Sequence, residues 1–342
     1  MPNQPQPIRE WTDVTPDSFN SDIRPLGQPA VIRGLKRDWP LVQAGLKSAS
    51  AAADYVAGFY RDKPVGTLTV PPGENGRLFY NQDMNGYNFV RSMENMRSVL
   101  RGILMTQGRP DAPAMAIQAI EAPDFLPGFE AEQPMELVPD APAKLWIGNA
   151  AHVAPHYDLK ENIACVAVGR RRFTLFPPEQ LPNLYIGPLD NTPAGAPISL
   201  VKVSDPDLEK YPRYADALAA AQFAELDPGD VIYIPYMWWH GVQALESFNI
   251  LVNYWWNDHE PRSRLHPMHA MVLAWLTFMD MPDEHKRRWR DMFNLYIFGD
   301  GQAMEHLPNR VRGVLGELNQ QQIARVKQML VEAIMEGTGT RT

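Results

Sequence analysis

Pro155-His156-Tyr157-Asp158 and, far downstream, Trp238-Trp239-His240-Gly241 are the stretches on which the reading of this chain turns. Two imidazoles and one carboxylate can occupy one face of an octahedral metal. Three cis positions then remain for a cosubstrate and oxygen, the arrangement of non-haem Fe(II) oxygenases. Each stretch lies in a strand context, so a sheet-rich fold can bring His156, Asp158 and His240 together. The expectation is an iron-dependent oxygenase.

The surroundings support a barrel or sandwich. Residues 144–148, 161–168, 170–176, 230–234, 240–245 and 248–256 all read as short strands separated by Gly, Pro and Asn breaks. If one strand runs unbroken, His156, Asp158, Asn162, Ala164 and Val166 share a face, which turns small and apolar beyond the ligands. Gly229-Asp230 followed by Val231 to Pro235 is a turn leading into a buried strand, and His240 opens the next one. Arg171 shares parity with Phe173 and Leu175 and is expected to point inward. An inward guanidinium needs an anion, and a planar dicarboxylate satisfies its fork bidentately. Plainer readings exist for each residue. The two histidines can be hydrogen-bonded core residues, Arg171 can pair with Asp158, and Arg170-Arg171-Arg172 can be a solvated charge run. His152 is read as a residue behind the ligands or at the surface, His266 and His269 as surface residues, and Cys165 as an inert buried thiol. Trp238 and Trp239 are read as packing residues at the barrel mouth.

Outside this region the pattern changes. Residues 1–10 are polar and proline-rich and read as a loose arm. A strand is expected from Pro29 to Gly34 and another from Val65 to Val70. Helices are expected from Ser48 to Arg61, with Ser50 as N-cap, and from Ser92 to Thr106. Residues 107–142 read as irregular chain able to line a substrate cleft. After Pro261 the apolar spacing becomes helical over 265–279, 283–298 and 320–334. The expected division is an arm (1–10), a β domain with an N-terminal extension (11–262) and a helical segment (263–342).

Composition bounds the function. The 342 residues are 45% hydrophobic, enough for a large core, and the net charge of -8 argues against general binding to a phosphate backbone. One cysteine excludes an intramolecular disulfide framework. No basic and apolar leader and no run of 18 apolar residues is found, so a cytoplasmic protein without a membrane span is expected. Its substrate is expected to be a peptide, a protein or a small molecule.

His156-Tyr157-Asp158 with Asn162, then Gly169, Phe176-Pro177-Pro178 and Gln180, then Gly229-Asp230, Ile234-Pro235, Trp238-Trp239-His240 and Asn253, together resemble the cupin-like JmjC-type hydroxylases. This group includes the asparaginyl hydroxylase that inhibits hypoxia-inducible factor. The resemblance is strongest over 143–256 and implies a mainly β fold, a double-stranded β-helix with added helices. It also implies Fe(II) held by His156, Asp158 and His240, and 2-oxoglutarate as cosubstrate beside Asn162 and Asn253. Arg171 stands where the family's basic residue, usually Lys, grips the distal carboxylate. Val153 replaces a hydroxyl-bearing residue three positions before the first His, and Met115-Ala116-Ile117-Gln118 lacks the expected aromatic hydroxyl. Relatives pair two chains through similar C-terminal helices, so a homodimer is expected. The fold by itself leaves two other readings open, a metal-dependent cupin of different chemistry and a non-catalytic binding module.

Overall fold

The computed structural model describes residues 5–109, 111–193, 195–259, 261–300 and 302–336. The chain divides into two compact units, Met1–Asn257 and Asp258–Thr342. The boundary falls just after the last strand ends at Trp256, a few residues before the expected one at 262.

The first unit is built on two sheets. Its strands are β1 (Gln6–Pro7), β2 (Arg9–Trp11), β3 (Ala30–Ile32), β4 (Val65–Val70), β5 (Arg77–Leu78), β6 (Val90–Glu94), β7 (Ala114–Glu121) and β8 (Ala143–Gly148). They continue with β9 (His152–His156), β10 (Glu161–Val168), β11 (Arg171–Phe176), β12 (Gln222–Leu226), β13 (Val231–Ile234), β14 (Trp239–Ala244) and β15 (Asn249–Trp256). The smaller sheet has the order β1-β12-β11-β14-β9-β5, and the larger runs β2-β3-β13-β10-β15-β8-β7-β4-β6. Ala164, Val166, Phe173, Leu175, Ile232, Ile234 and Leu251 pack together between them. This is the expected jelly-roll core.

The larger sheet is covered on its other face as well. Ile163, Cys165, Ala167, Leu145 and Ile147 pack there with residues of helices Pro40–Lys47, Ala49–Phe59 and Met96–Met105. A strand buried on both faces has no polar alternation, which is why β10 reads as a continuous apolar run.

Several expectations need correction. The stretch from Gln6 is no loose arm: β1 pairs with β12 and β2 with β3, because Ile8 between them is buried in the inter-sheet core. Residues 1–4 lie outside the described chain. The helix after residue 48 is capped by the Ser48 side chain, which accepts from Ala51 N at 3.0 Å; Ser50 lies inside it. The expected helix over 92–106 begins only at Met96, after β6 and an Asn95 cap. Residues 107–142 are not irregular throughout, since β7 crosses them and pairs with both β4 and β8. Its alternation is interrupted by a register shift between Ile117 and Ile120, which hid it. Nor does one strand run unbroken from His156 to Val166. β9 belongs to the smaller sheet and β10 to the larger, with residues 157–160 crossing between them.

The second unit contains helices Pro267–Phe278, Asp283–Tyr296 and Gln320–Glu336, close to the expected spans. Phe278 lies against Trp289 and Phe293, with ring centroids 5.5 and 5.8 Å away.

Candidate metal centre and its cavity

His156 closes β9 and His240 lies directly opposite it on β14 in an antiparallel pair. The register shifts between His240 and Val242, where three steps of β9 (Val153 to His156) match two steps of β14. Such a bulge re-aims side chains and is common beside active sites. Pro155 sits in it and contributes no amide hydrogen, and a Cβ at Gly241 would meet Pro155 Cγ at 3.2 Å. The chain then leaves the strand, and Asp158 turns back toward the two rings. One ligand atom from each of His156, Asp158 and His240 lies within 4.8 Å of the others. His240 Nε2 is 3.6 Å from Asp158 Oδ2, and the imidazole centroids are 4.4 Å apart.

The protonation pattern suits a metal. His156 Nδ1 lies 3.0 Å from Ala154 O, and His240 Nδ1 lies 3.1 Å from Trp238 O. A carbonyl only accepts, so each Nδ1 carries a hydrogen and each Nε2 is the ring nitrogen left to ligate. Burial, reinforced by nearby His156, holds the His240 imidazole well below its ordinary pKa against the opposing pull of Asp158. It is therefore neutral near pH 7. Asn162 Nδ2 donates to Asp158 Oδ2 at 3.1 Å, and Asn253 Nδ2 donates to Asn162 Oδ1 at 2.9 Å. These amides orient the carboxylate, as outer residues of metal sites do.

The triad opens into a cavity of about 130 Å³ between the sheets, lined also by Arg171, Asn162, Asn253, Trp146 and Trp255. The three consecutive arginines have different fates. Arg170 Nε donates to Glu246 at 3.0 Å, and Arg172 pairs with Glu225, both at the surface. Arg171 points inward with Phe173, as parity predicts. Its Nε is buried without a hydrogen-bond partner, and no ion pair joins it to Asp158 or to any other described residue. Burial alone pushes its guanidinium down to about 10, so it remains a cation at neutral pH. This donor set fits a metal ion and, beside it, a carboxylate.

The other expectations sort cleanly. Val153 and Ala116, Ile117 and Gln118 do line the cavity, so the missing hydroxyls are missing from its wall. His152 stays out of it and lies in a separate groove with Arg77 and Lys202. His266 is a helix cap whose Nδ1 accepts from Met268 N at 3.3 Å. Cys165 is buried, and burial raises its thiol pKa far above the usual value. Trp238 and Trp239 are packing residues, buried within clusters rather than at a mouth. Asp230 of the Gly229-Asp230 turn is structural: its carboxylate accepts from Arg33 Nη1 at 2.6 Å, Gly34 N at 2.8 Å and Asp227 N at 3.0 Å. Trp146 and Trp255 were not foreseen at the cavity. The signal for Trp255 was its parity with Asn253 on the same strand.

A family model described as "Cupin-like domain" matches residues 16–261. The chain belongs to this family. The tRNA wybutosine-synthesizing protein 5 of Gallus gallus is 25% identical over 308 residues, covering 80% of this chain and 88% of that protein. The human bifunctional peptidase and (3S)-lysyl hydroxylase JMJD7 is 28% identical over 281 residues, covering 71% and 81% respectively. The lysine-specific demethylase JMJ31 of Arabidopsis thaliana is 34% identical over 115 residues, which are 33% of this chain but only 20% of that protein. Family membership and the His-Asp-His site together make this chain a cupin-like oxygenase of the JmjC type.

Proposed function

We propose that the protein binds Fe(II) through His156, Asp158 and His240, uses 2-oxoglutarate as cosubstrate, and hydroxylates a peptide or protein. The observation that carries this is Arg171, a half-buried cation whose buried Nε has no partner among the described residues, facing the same cavity as the His-Asp-His triad. A buried guanidinium without a counter-charge is costly, and the distal carboxylate of 2-oxoglutarate supplies one in bidentate geometry. When bound, Fe(II) with its cosubstrate supplies oxygen activation. The chain's own residues do the rest. Arg171 fixes one end of the cosubstrate, and the Nδ1 contacts hold both imidazoles in the ligating tautomer. Asn162 restrains Asp158, backed by Asn253. Trp146, Phe173, Leu251 and Ile234 keep the wall apolar.

Peptide or protein substrates are favoured by the relatives, one a lysyl hydroxylase and another a demethylase specific for lysine. A second reading, a metal-dependent cupin of different chemistry, draws on the hydroxyl-free wall at Val153 and 116–118. Anaerobic Fe(II) titration with and without 2-oxoglutarate separates the two. A visible charge-transfer band requiring both, with succinate released under oxygen, is expected; iron binding unaffected by 2-oxoglutarate and no succinate would support the second reading.

No described helix is long and apolar enough to cross a membrane. The single buried Cys165 supports a reducing compartment, and we place the protein in the cytoplasm. The second unit exposes Trp275 (70%), Leu276 (61%) and Phe298 (74%). A second copy of the chain is the proposed cover for this apolar surface, giving a homodimer. Light scattering at micromolar concentration checks this: a dimeric mass is expected, falling to a monomer on truncation near Arg262.

A further inference from the structure

We infer that the groove on the outer face of the smaller sheet binds an acidic peptide segment, its carboxylates held by Arg77, His152 and Lys202 and a neighbouring apolar side chain packed on Phe223. This groove lies across one sheet from the metal cavity, and the inference stands independently of the oxygenase reading.

Strand register gathers the residues. Arg77 of β5 lies opposite His152 of β9, His152 opposite Gln243 of β14, and Gln243 opposite Arg172 of β11. With strands roughly 5 Å apart, these four form one row across the sheet. Arg172 and Thr174 alternate with the inward Phe173, so the row faces away from the metal cavity. Two residues further along the strands, the next outward row is Gly241, Thr174 and Phe223. A glycine and a small hydroxyl leave room above the sheet there, beside an exposed ring. Both rows, with residues 73–75 and 201–204 at the sides, line a groove of about 920 Å³.

The two ends of the cationic row differ. Arg172 is paired with Glu225, its neighbour on β12. At the other end nothing plays that part. The half-buried Arg77 guanidinium lies 3.5 Å from the Phe79 ring centroid and donates through Nη2 to Leu200 O at 3.2 Å. It is thereby held in place, yet it forms no ion pair with a described residue. Burial lowers its pKa, opposed by Tyr211 and Glu74 from beyond contact, and Glu74 Oε2 already accepts from Asn88 Nδ2 at 2.9 Å. Lys202 meets Asp205 at 3.7 Å, an exposed pair of little strength. Burial, Lys202 and Arg77 together hold the His152 imidazole below its ordinary pKa. Cations gathered around a half-buried guanidinium are costly unless an anion answers them.

The groove selects among anions. A free phosphate would use the cationic end and leave the rest empty. A nucleic acid requires a longer run of cations than a chain of net charge -8 offers here, with Glu74 in the lining and Glu225 beside it. A peptide places carboxylates against the guanidinium, imidazole and ammonium and covers Phe223 with an apolar side chain.

A fluorescein-labelled hexapeptide alternating glutamate and leucine is titrated with the full-length protein, without iron or cosubstrate, and followed by anisotropy. Saturable binding is expected. Lys202→Glu should weaken it roughly tenfold or more, the loss of a hydrogen bond to a charged group, and Arg77→Ala by a similar factor. Lys47→Glu makes the same charge change on the helix over the other sheet and should leave affinity within about twofold, since that charge is screened. Lys202 is exposed, so its variant decides the matter even if Arg77→Ala does not fold. Alanine in place of leucine should weaken binding, and lysine in place of glutamate should abolish it. No saturable binding, or equal loss in Lys202→Glu and Lys47→Glu, overturns the proposal. So does displacement of the label by inorganic phosphate, or by a single-stranded oligonucleotide, at lower concentration than by unlabelled peptide. Succinate release is measured separately: peptide binding without succinate supports this groove and sinks only the oxygenase reading.

Discussion

Arg171 on β11 and Asn253 on β15 face one cavity from opposite sheets, and their neighbours differ in the same way they do. The smaller sheet brings ions or groups that hold ions: His156, His240 and Arg171, with Asp158 just beyond its β9 edge. The larger sheet brings neutral polar and aromatic groups: Asn162, Asn253, Trp146 and Trp255. The larger sheet is covered by helices on its far face and faces the smaller sheet on the other, so a charge at its cavity-facing positions would depend on the cavity for a partner. The smaller sheet has one face packed and one open, where Arg170 and Arg172 pair with glutamates. The metal and the distal end of its cosubstrate are thus expected to be held from the smaller sheet, with the neutral groups of the larger sheet completing the pocket.

Removing a ligand from the ionic wall should have the largest effect. Purified His156→Ala and Asp158→Ala proteins should carry no stoichiometric iron by metal analysis while keeping the wild-type circular dichroism spectrum. Retained iron would break the assignment of the triad. Arg171→Ala comes next and should weaken 2-oxoglutarate binding by about 2–5 kcal/mol, the usual cost of truncating one partner of a buried charged pair. Calorimetry should place Arg171→Lys between the two; equal affinity in wild type and Arg171→Ala would make this arginine structural.

On the neutral wall the effects should be smaller. Asn162→Ala should cost about 10–100-fold in iron affinity, as loss of a residue orienting a ligand does; an unchanged titration would mean that Asp158 needs no such support. Back on the ionic wall, the metal-free protein should respond to acid through His240. Its folded pKa is lowered, so its contribution to stability is intact above the unfolded value of 6.5 and is lost as pH falls from there toward the folded value. Urea midpoints measured downward from pH 7.5 should therefore decline below about pH 6.5, less steeply in His240→Gln. The smallest expected effect is at Cys165, behind the neutral wall. Its thiol should not react with an aromatic disulfide reagent until the protein unfolds, and reaction of the native protein at the rate of a free thiol would show that the layer between sheet and helices is open.

Much of the wall around the cavity was legible in both sheets. Parity placed Arg171 with Phe173 and Leu175, and the turn at Gly229 followed by apolar residues announced β13 and the approach to His240. The β12 strand and β7 were missed, the first in a polar context and the second because a register shift broke its alternation. The shared face of His156 and Asn162 was read correctly for the wrong reason. Parity along one strand was assumed, whereas the chain crosses between sheets at 157–160 and both strands present those residues to one interior.

By itself the sequence determined the residue types and their order: two imidazoles, a carboxylate and an inward arginine set in strands, followed by amphipathic helices. Those follow from local chemistry, because side-chain period and ligand type are properties of short stretches. Only the tertiary structure decided that Arg170 and Arg172 find glutamates while Arg171 finds none among the described residues, that Asp230 clamps Arg33 while Asp158 turns to the two imidazoles, and that Trp255 brings an unpaired donor to the cavity. Whether a polar atom is satisfied depends on atoms brought near it by strands distant in sequence, and pairing across sheets is not encoded in any one of them.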